Sequence, residues 1–303
     1  MTVSLQWERD GIDWPNRNAS RFISAGGIIF HVQIMGEGTP ILLLHGTGSS
    51  THTWRDVMPL LAQNHQVIAL DLPGHGFTKY ASASQLSLAG MAKAISDLLN
   101  VMNLTPDRVV GHSAGAAILV EMVQAGYIKP ADIISFNGAF FPMAGFIGQF
   151  FSPLAKAIAS FGVLQKIIVS MADRPAIERL LNDTGSRIND QGIRYYLKLF
   201  SDEGHVGGTL SMMAAWELGG MAAMLRRLGT MLYLVKATKD RTVSPETADE
   251  VAQLAHNSAI LVMKGLGHLS HEEDPLTAAK IILNPEDFRA LSHDQDYASG
   301  RAS

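Results

Sequence analysis

Short apolar runs that empty into glycine-rich loops recur along the chain. Residues 41–44 (Ile-Leu-Leu-Leu), 67–70, 133–136, 231–235 and 259–263 show almost no polar alternation, which is the pattern of strands covered on both faces. Residues 107–110 form a further strand leading into a glycine. Ahead of the first run, residues 21–34 hold two apolar stretches broken by Gly26-Gly27, a hairpin signal that predicts two antiparallel strands. Helical signals fill the gaps: 52–63, 87–102 with Ser87 as N-cap, and a helix continuing through 116–120. Strands alternating with helices at these lengths predict an α/β fold with a mostly parallel, doubly wound sheet.

The pattern changes between 138 and 229. No buried strand is evident there. Residues 140–151 are aromatic and punctuated by glycine, and helical periodicity follows over 154–171, 176–181, 194–200 and 212–225. This predicts an inserted helical cap, with core residues 1–137 before it and 230–303 after it. A last helix is expected at 275–283, and a frayed polar tail after about residue 292. Residues 1–20 are polar apart from Trp7 and Trp14 and are expected to wrap the surface.

Composition narrows the possibilities. The 303 residues are 47% hydrophobic and 17% charged, enough for one large α/β domain. A net charge of −4 with no basic block disfavours nucleic acid as a partner. The absence of cysteine removes disulfides, thiolate metal sites and thiol nucleophiles. The first ten residues carry no basic-then-apolar leader and read as a mature cytoplasmic N-terminus. No apolar run approaches the length of a membrane span, so at most weak peripheral membrane contact is expected, through the apolar 140–151 segment. The histidines show no metal-ligand spacing, and no metal or cofactor is called for.

The chemistry centres on Val109-Val110-Gly111-His112-Ser113-Ala114-Gly115. This is G-x-S-x-G between a strand and a helix, the pattern of a nucleophile elbow. A side chain at Gly111 or Gly115 would collide with the adjoining strand or helix. A serine nucleophile needs a base, and the base needs a group that orients it. Asp240 lies in a loop just past the 231–235 run and His268 just past the 259–263 run. That gives the chain order serine, acid, histidine. His271, three residues on beside Glu272 and Glu273, is the rival base and is expected to face solvent. The oxyanion donors are assigned to the N–H groups of Ala114 and Thr47, the latter in His45-Gly46-Thr47-Gly48. His45 and His75 read as structural loop residues. His112, Phe140, Phe141, Met213 and Trp216 are candidates for the substrate pocket, although packing onto the core is the favoured account of most of the aromatics.

The segments HGTGSS (45–50), DLPGHG (71–76), GHSAG (111–115) and GLGHLSHEE (265–273) resemble the α/β-hydrolase superfamily over about residues 26–283. A narrower resemblance rests on WPNRNASRF (14–22), HGTGSSTHTWRDVMPLL (45–61), GHSAGAAI (111–118), TGSRI (184–188), GHVGGTLSMMAAW (204–216) and GLGHLSHEE. These look like the magnesium-chelatase accessory proteins of bacteriochlorophyll biosynthesis (the BchO type). The resemblance implies a role beside insertion of Mg²⁺ into protoporphyrin IX, with magnesium chelatase as a partner, and names no bond to be cleaved. Three expectations follow. The first is hydrolysis of an ester-like bond in an apolar small molecule. The second is a general carboxylesterase or carbon–carbon-bond hydrolase. The third is non-catalytic binding of a porphyrin.

Overall fold

The computed structural model describes residues 5–80, 82–142 and 163–289. In chain order the strands are β1 (Ser20–Ala25), β2 (Ile28–Met35), β3 (Thr39–Leu44), β4 (His65–Leu70), β5 (Arg108–His112), β6 (Asp132–Phe136), β7 (Met231–Ala237) and β8 (Ser258–Met263). They form one sheet in the order β1-β2-β4-β3-β5-β6-β7-β8. The hairpin β1–β2 and the pair β2–β4 are antiparallel, and all other pairs are parallel. The hairpin turns at Gly26-Gly27, both at positive φ (55° and 77°), as a two-residue turn between right-twisted strands requires.

The described helices of six residues or more are α1 (Leu88–Val101), α2 (Ala114–Gln124), α3 (Val163–Ser170), α4 (Arg174–Asp183), α5 (Asp190–Phe200), α6 (Glu203–Ala215), α7 (Met221–Arg226), α8 (Glu246–Leu254) and α9 (Pro275–Leu283). Ser87 caps α1 by accepting from the Gly90 amide at 3.1 Å. Alternate residues of the strands feed opposite faces of the sheet. Leu42, Leu44, Val109, Ile133 and Leu234 pack against α1, α2 and α8. Ile41, Leu43, Val110, Ile134 and Val235 pack against Trp54, Met58, Leu61 and α9. β4 lies on one side of β3 and β5 on the other. The order therefore reverses between the loops that follow β3 and β5, where open α/β sheets collect their ligands.

Three expectations need correction. The 52–63 helix is instead a 3₁₀ turn (Thr51–Trp54) and one helical turn (Met58–Leu61). The Thr51 amide is drawn to Asp71 Oδ1 at 2.7 Å, and Pro59 lacks the donor that a continuous helix would need. The 212–225 helix is broken between α6 and α7, where Trp216 turns extended (ψ 114°) ahead of Gly219-Gly220. The N-terminal segment does not simply wrap the surface. Trp14 is 2% exposed and packs edge-on against Phe77 and Tyr195, in a cluster with Leu5 and Leu199. The Leu5 amide donates to Asp202 Oδ2 at 2.6 Å.

Helices α3 to α7 fall between β6 and β7. Of the expected aromatic stretch 140–151, residues 143–151, including Met143, Phe146, Phe150 and Phe151, lie outside the described residues, as do 154–162 of the expected helix 154–171 and the tail after 289. Helix α6 sits on the loops that follow β3 and β4. His205 accepts from the Gly76 amide (3.0 Å) through Nδ1 and donates to the Gly48 carbonyl (3.2 Å) through Nε2. Gly208 lies so close that a Cβ there would come within 2.0 Å of the Gly74 carbonyl oxygen. Gly208→Ala is therefore expected to lower stability by about 1–3 kcal/mol through overpacking. This would be read as a lower denaturant midpoint. An unchanged midpoint would show that the contact is slack.

Candidate active site

Ser113 links β5 to α2 with φ 52° and ψ −116°, a strained conformation for a residue other than glycine. The turn closes because its neighbours have no side chains. A Cβ on Gly111 would lie 2.4 Å from the Ala116 nitrogen, and one on Gly115 would lie 2.6 Å from the Leu44 carbonyl oxygen. From the facing loop, a Cβ on Gly46 would sit 2.9 Å from Ser113 Cβ. The Ser113 amide donates to the Phe136 carbonyl (3.0 Å), and the Ser113 carbonyl accepts from the Ala139 amide (3.1 Å). Its side chain thus stands at the N-terminus of α2, where unpaired amides and the helix dipole favour negative charge. Ala114 provides the first amide of α2. Thr47 lies exposed in the loop after β3, with its hydroxyl 3.7 Å from Met212 Sδ on α6. Neither amide has an intramolecular acceptor among the described residues.

Asp240 and His268 are brought together. His268 Nδ1 lies 2.7 Å from Asp240 Oδ2, and both residues are buried. A carboxylate only accepts, so Nδ1 donates, and in the neutral ring this tautomer turns Nε2 into the acceptor. Every acceptor position of Asp240 is filled. Oδ1 takes the amides of Thr242 (2.7 Å) and Val243 (3.0 Å), and Oδ2 takes His268 and Asn137 Nδ2 (2.7 Å). His112, the residue before Ser113, donates from Nε2 to the His268 carbonyl at 2.9 Å, and its ring lies tilted against that of His268 with centroids 4.7 Å apart. The elbow and the histidine loop are therefore in contact. Among the described residues no hydrogen bond joins Ser113 Oγ to His268 Nε2, so that link is open in this state.

Residues 184–186 wedge between the two loops that carry Asp240 and His268. The Thr184 carbonyl accepts from the amides of Arg241 (3.1 Å) and His268 (3.3 Å). Ser186 Oγ accepts from the Leu269 amide at 2.8 Å. A Cβ on Gly185 would lie 1.9 Å from the Lys239 carbonyl oxygen. Glu273 completes the clasp by accepting from the amides of Gly267 (2.7 Å) and Arg187 (2.9 Å).

His271 does not face solvent as expected. It is fully buried, lies tilted against His112 with ring centroids 4.5 Å apart, and donates from Nε2 to Thr53 Oγ1 at 2.7 Å. Its neighbour Glu272 explains the burial. That carboxylate is drawn inward by the Arg55 guanidinium and accepts from Thr53 Oγ1 (2.6 Å) and the Tyr196 hydroxyl (2.7 Å). Burial, reinforced by Glu272, holds the Tyr196 hydroxyl well above its ordinary range. His45 and His75 are loop residues. His45 donates from Nδ1 to the Gly46 carbonyl and accepts the Leu72 amide, while His75 bonds the Pro73 carbonyl.

The candidate pocket residues divide. Phe140 and Trp216 are packed into the main hydrophobic core, Phe141 lies half-buried against it, and Met213 is half-buried on α6. His112 is buried beneath the histidine loop. Sequence reasoning missed Asn137 and Ser270, whose only signal is their place beside a strand end and the His268 loop. Among the described residues no group of three or more His, Asp or Glu is arranged to hold a metal ion. No described helix is long and apolar enough to cross a membrane.

A mostly parallel sheet whose serine elbow follows β5, with an acid after β7 and a histidine after β8, defines an α/β-hydrolase fold. A model of the alpha/beta hydrolase family matches residues 41–280, and the chain belongs to that family. It is 33% identical over 263 residues to the magnesium-chelatase 30 kDa subunit of Rhodobacter capsulatus, covering 86% of this chain and 92% of that protein. It is 25% identical over 275 residues to a 2-hydroxy-6-oxo-6-(2'-aminophenyl)hexa-2,4-dienoic acid hydrolase of Metapseudomonas resinovorans, covering 87% and 89%. An alpha/beta hydrolase fold protein from Burkholderia ambifaria shares the fold, with a TM-score of 0.71 at 19% identity over 88% of this chain and 99% of that one.

Six buried histidines set the response to acid. Burial holds His45 and His205 down to about 4, and holds His52, His75, His112 and His271 well below 6.5. In the unfolded chain these imidazoles titrate near 6.5, so below that pH the unfolded state binds protons that the fold refuses. Stability is therefore fully present above about pH 6.5 and is lost as pH falls toward 4, at roughly 1.4 kcal/mol per pH unit for each participating histidine. Denaturant titrations across that window should show the decline. A flat profile would contradict the neutral, buried assignment.

Proposed function

We propose that the protein is a serine hydrolase that cleaves an ester or related acyl bond in an apolar small molecule, in the service of magnesium chelation for bacteriochlorophyll. The observation that carries the chemistry is the Asp240–His268 hydrogen bond, which orients the imidazole on the loop that packs against the elbow. The similarity to the Rhodobacter capsulatus magnesium-chelatase subunit supports the pathway and magnesium chelatase as partner. Residues 138–229 act as the cap over the site.

In this reading, substrate closes the open serine–histidine link, as catalytic hydrogen bonds commonly tighten in the Michaelis complex. His268 Nε2 takes the proton of Ser113 Oγ as the oxygen attacks the acyl carbon. The carbonyl electron pair moves onto its oxygen, which is held by the amides of Thr47 and Ala114. When the tetrahedral intermediate collapses, the bond to the leaving alcohol or thiol breaks, and His268 protonates the departing atom. Water activated by the same nitrogen then releases the acyl group from Ser113. Asp240 stays ionised throughout and keeps the ring in its working tautomer.

Among the described residues of the aromatic set, Phe140 and Trp216 are packed into the core and so are not free to cradle a porphyrin, while Phe141 and Met213 are partly open. Hydrolysis of p-nitrophenyl esters graded by acyl length is the direct test. Ser113→Ala should lower turnover by on the order of 10⁶ if the three side chains act as a unit. Equal turnover by wild type and variant would refute the proposal. Fast hydrolysis of every chain length would point to a general carboxylesterase. Tight binding of protoporphyrin IX without turnover would point to ligand handling.

A further inference from the structure

We infer that Asn137 is a positioning residue, and that residues 136–139 set the distance between the serine and the Asp240–His268 pair. This rests on the proposed hydrolase reading. The backbone of this segment grips Ser113 from both sides, through the Phe136 carbonyl and the Ala139 amide. Between those two contacts, the Asn137 side chain reaches across to Asp240 Oδ2 at 2.7 Å. Its own amide donates to the Val235 carbonyl at 2.8 Å, tying the end of β6 to β7, the strand that leads to Asp240. A four-residue segment therefore touches the nucleophile with its backbone and the acid with its side chain.

Two further observations show that the arrangement is built. Asn137 stands at φ 50°, the left-handed region, where asparagine is among the few residues with a side chain that fit readily. Glycine would relieve that strain but would deliver no donor. The amide orientation is also fixed. Ser270 Oγ donates to Asn137 Oδ1 at 2.9 Å, which turns Nδ2 toward the carboxylate. The reverse orientation would set a carbonyl oxygen against the Asp240 carboxylate. Asn137 and Ser270 are both buried, so no solvent competes for these bonds. With Thr242 and Val243 on the other oxygen, Asn137 closes the last acceptor position and prevents the carboxylate from rotating away from His268 Nδ1.

Asn137→Gly tests this, since it keeps the left-handed backbone and removes only the carboxamide. One readout does not depend on turnover. The Nδ1 proton shared by His268 and Asp240 should give a strongly downfield proton resonance in the wild type, assigned by its loss in His268→Gln. In Asn137→Gly that resonance should move upfield and broaden through faster solvent exchange, and Ser270→Ala should do the same to a smaller degree. In ester hydrolysis, kcat should fall roughly 10–100-fold with little change in KM, because misplacement rather than lost binding is at fault. The acid limb of the pH–rate profile should shift as well, which a merely structural loss would not produce. An unchanged resonance in a folded Asn137→Gly protein would overturn the inference, whether or not the wild type hydrolyses esters. If Asn137→Gly does not fold, Ser270→Ala decides by the same resonance. A wild type without esterase activity, but with the resonance changed in the variants, would count against the hydrolase reading alone.

Discussion

One backbone conformation organises the molecule. Ser113 is held at positive φ between a strand and a helix, and that turn exists only because Gly111, Gly115 and Gly46 leave room for it. A strained residue of this kind costs on the order of 1–3 kcal/mol and persists only where its surroundings over-determine it. Here the surroundings are the fully buried central strands and the amide and carbonyl contacts from residues 136–139. The strain lifts a hydroxyl to the end of the sheet where the strand order reverses, beside the amide-rich start of α2.

The helices between β6 and β7 are tied into that end of the sheet. Residues 184–186 are interleaved with the loops of Asp240 and His268, and the buried Arg55–Glu272 pair with Tyr196 joins α5 to the loop after β3 and to the segment after His268. His205 and Gly208 dock α6 onto the loops after β3 and β4. Removing one partner from a buried ion pair leaves a charge uncompensated, so such joints tolerate little drift. TGSRI (184–188) and GHVGG (204–208) are thus joints between the helices that follow β6 and the loops at this end of the sheet.

Much of this was legible because it is local. The strands are continuous apolar runs, the Gly26-Gly27 turn and the Ser87 cap are short-range signals, and Asp240 and His268 each follow closely on a strand end. What the sequence concealed depends on partners far along the chain. His271 looked solvent-facing beside two glutamates, yet Arg55, more than two hundred residues away, draws Glu272 and its neighbourhood inside. Trp14 looked like surface until Phe77 and Tyr195 enclosed it. Periodicity ran a helix through 212–225, whereas Trp216 packs into the core and the chain turns at Gly219-Gly220. Asn137 carried no motif, because its role lies in where β6 ends relative to β7.

The account stands on Ser113 being nucleophilic in the folded protein. The most direct measurement is reaction with a fluorophosphonate probe, followed by peptide mass spectrometry to locate the adduct. A single phosphonyl group on Ser113 is expected, lost in heat-denatured protein and strongly slowed in His268→Gln. Folded protein that stays unlabelled while a known serine hydrolase in the same tube reacts, or that labels elsewhere, would contradict it.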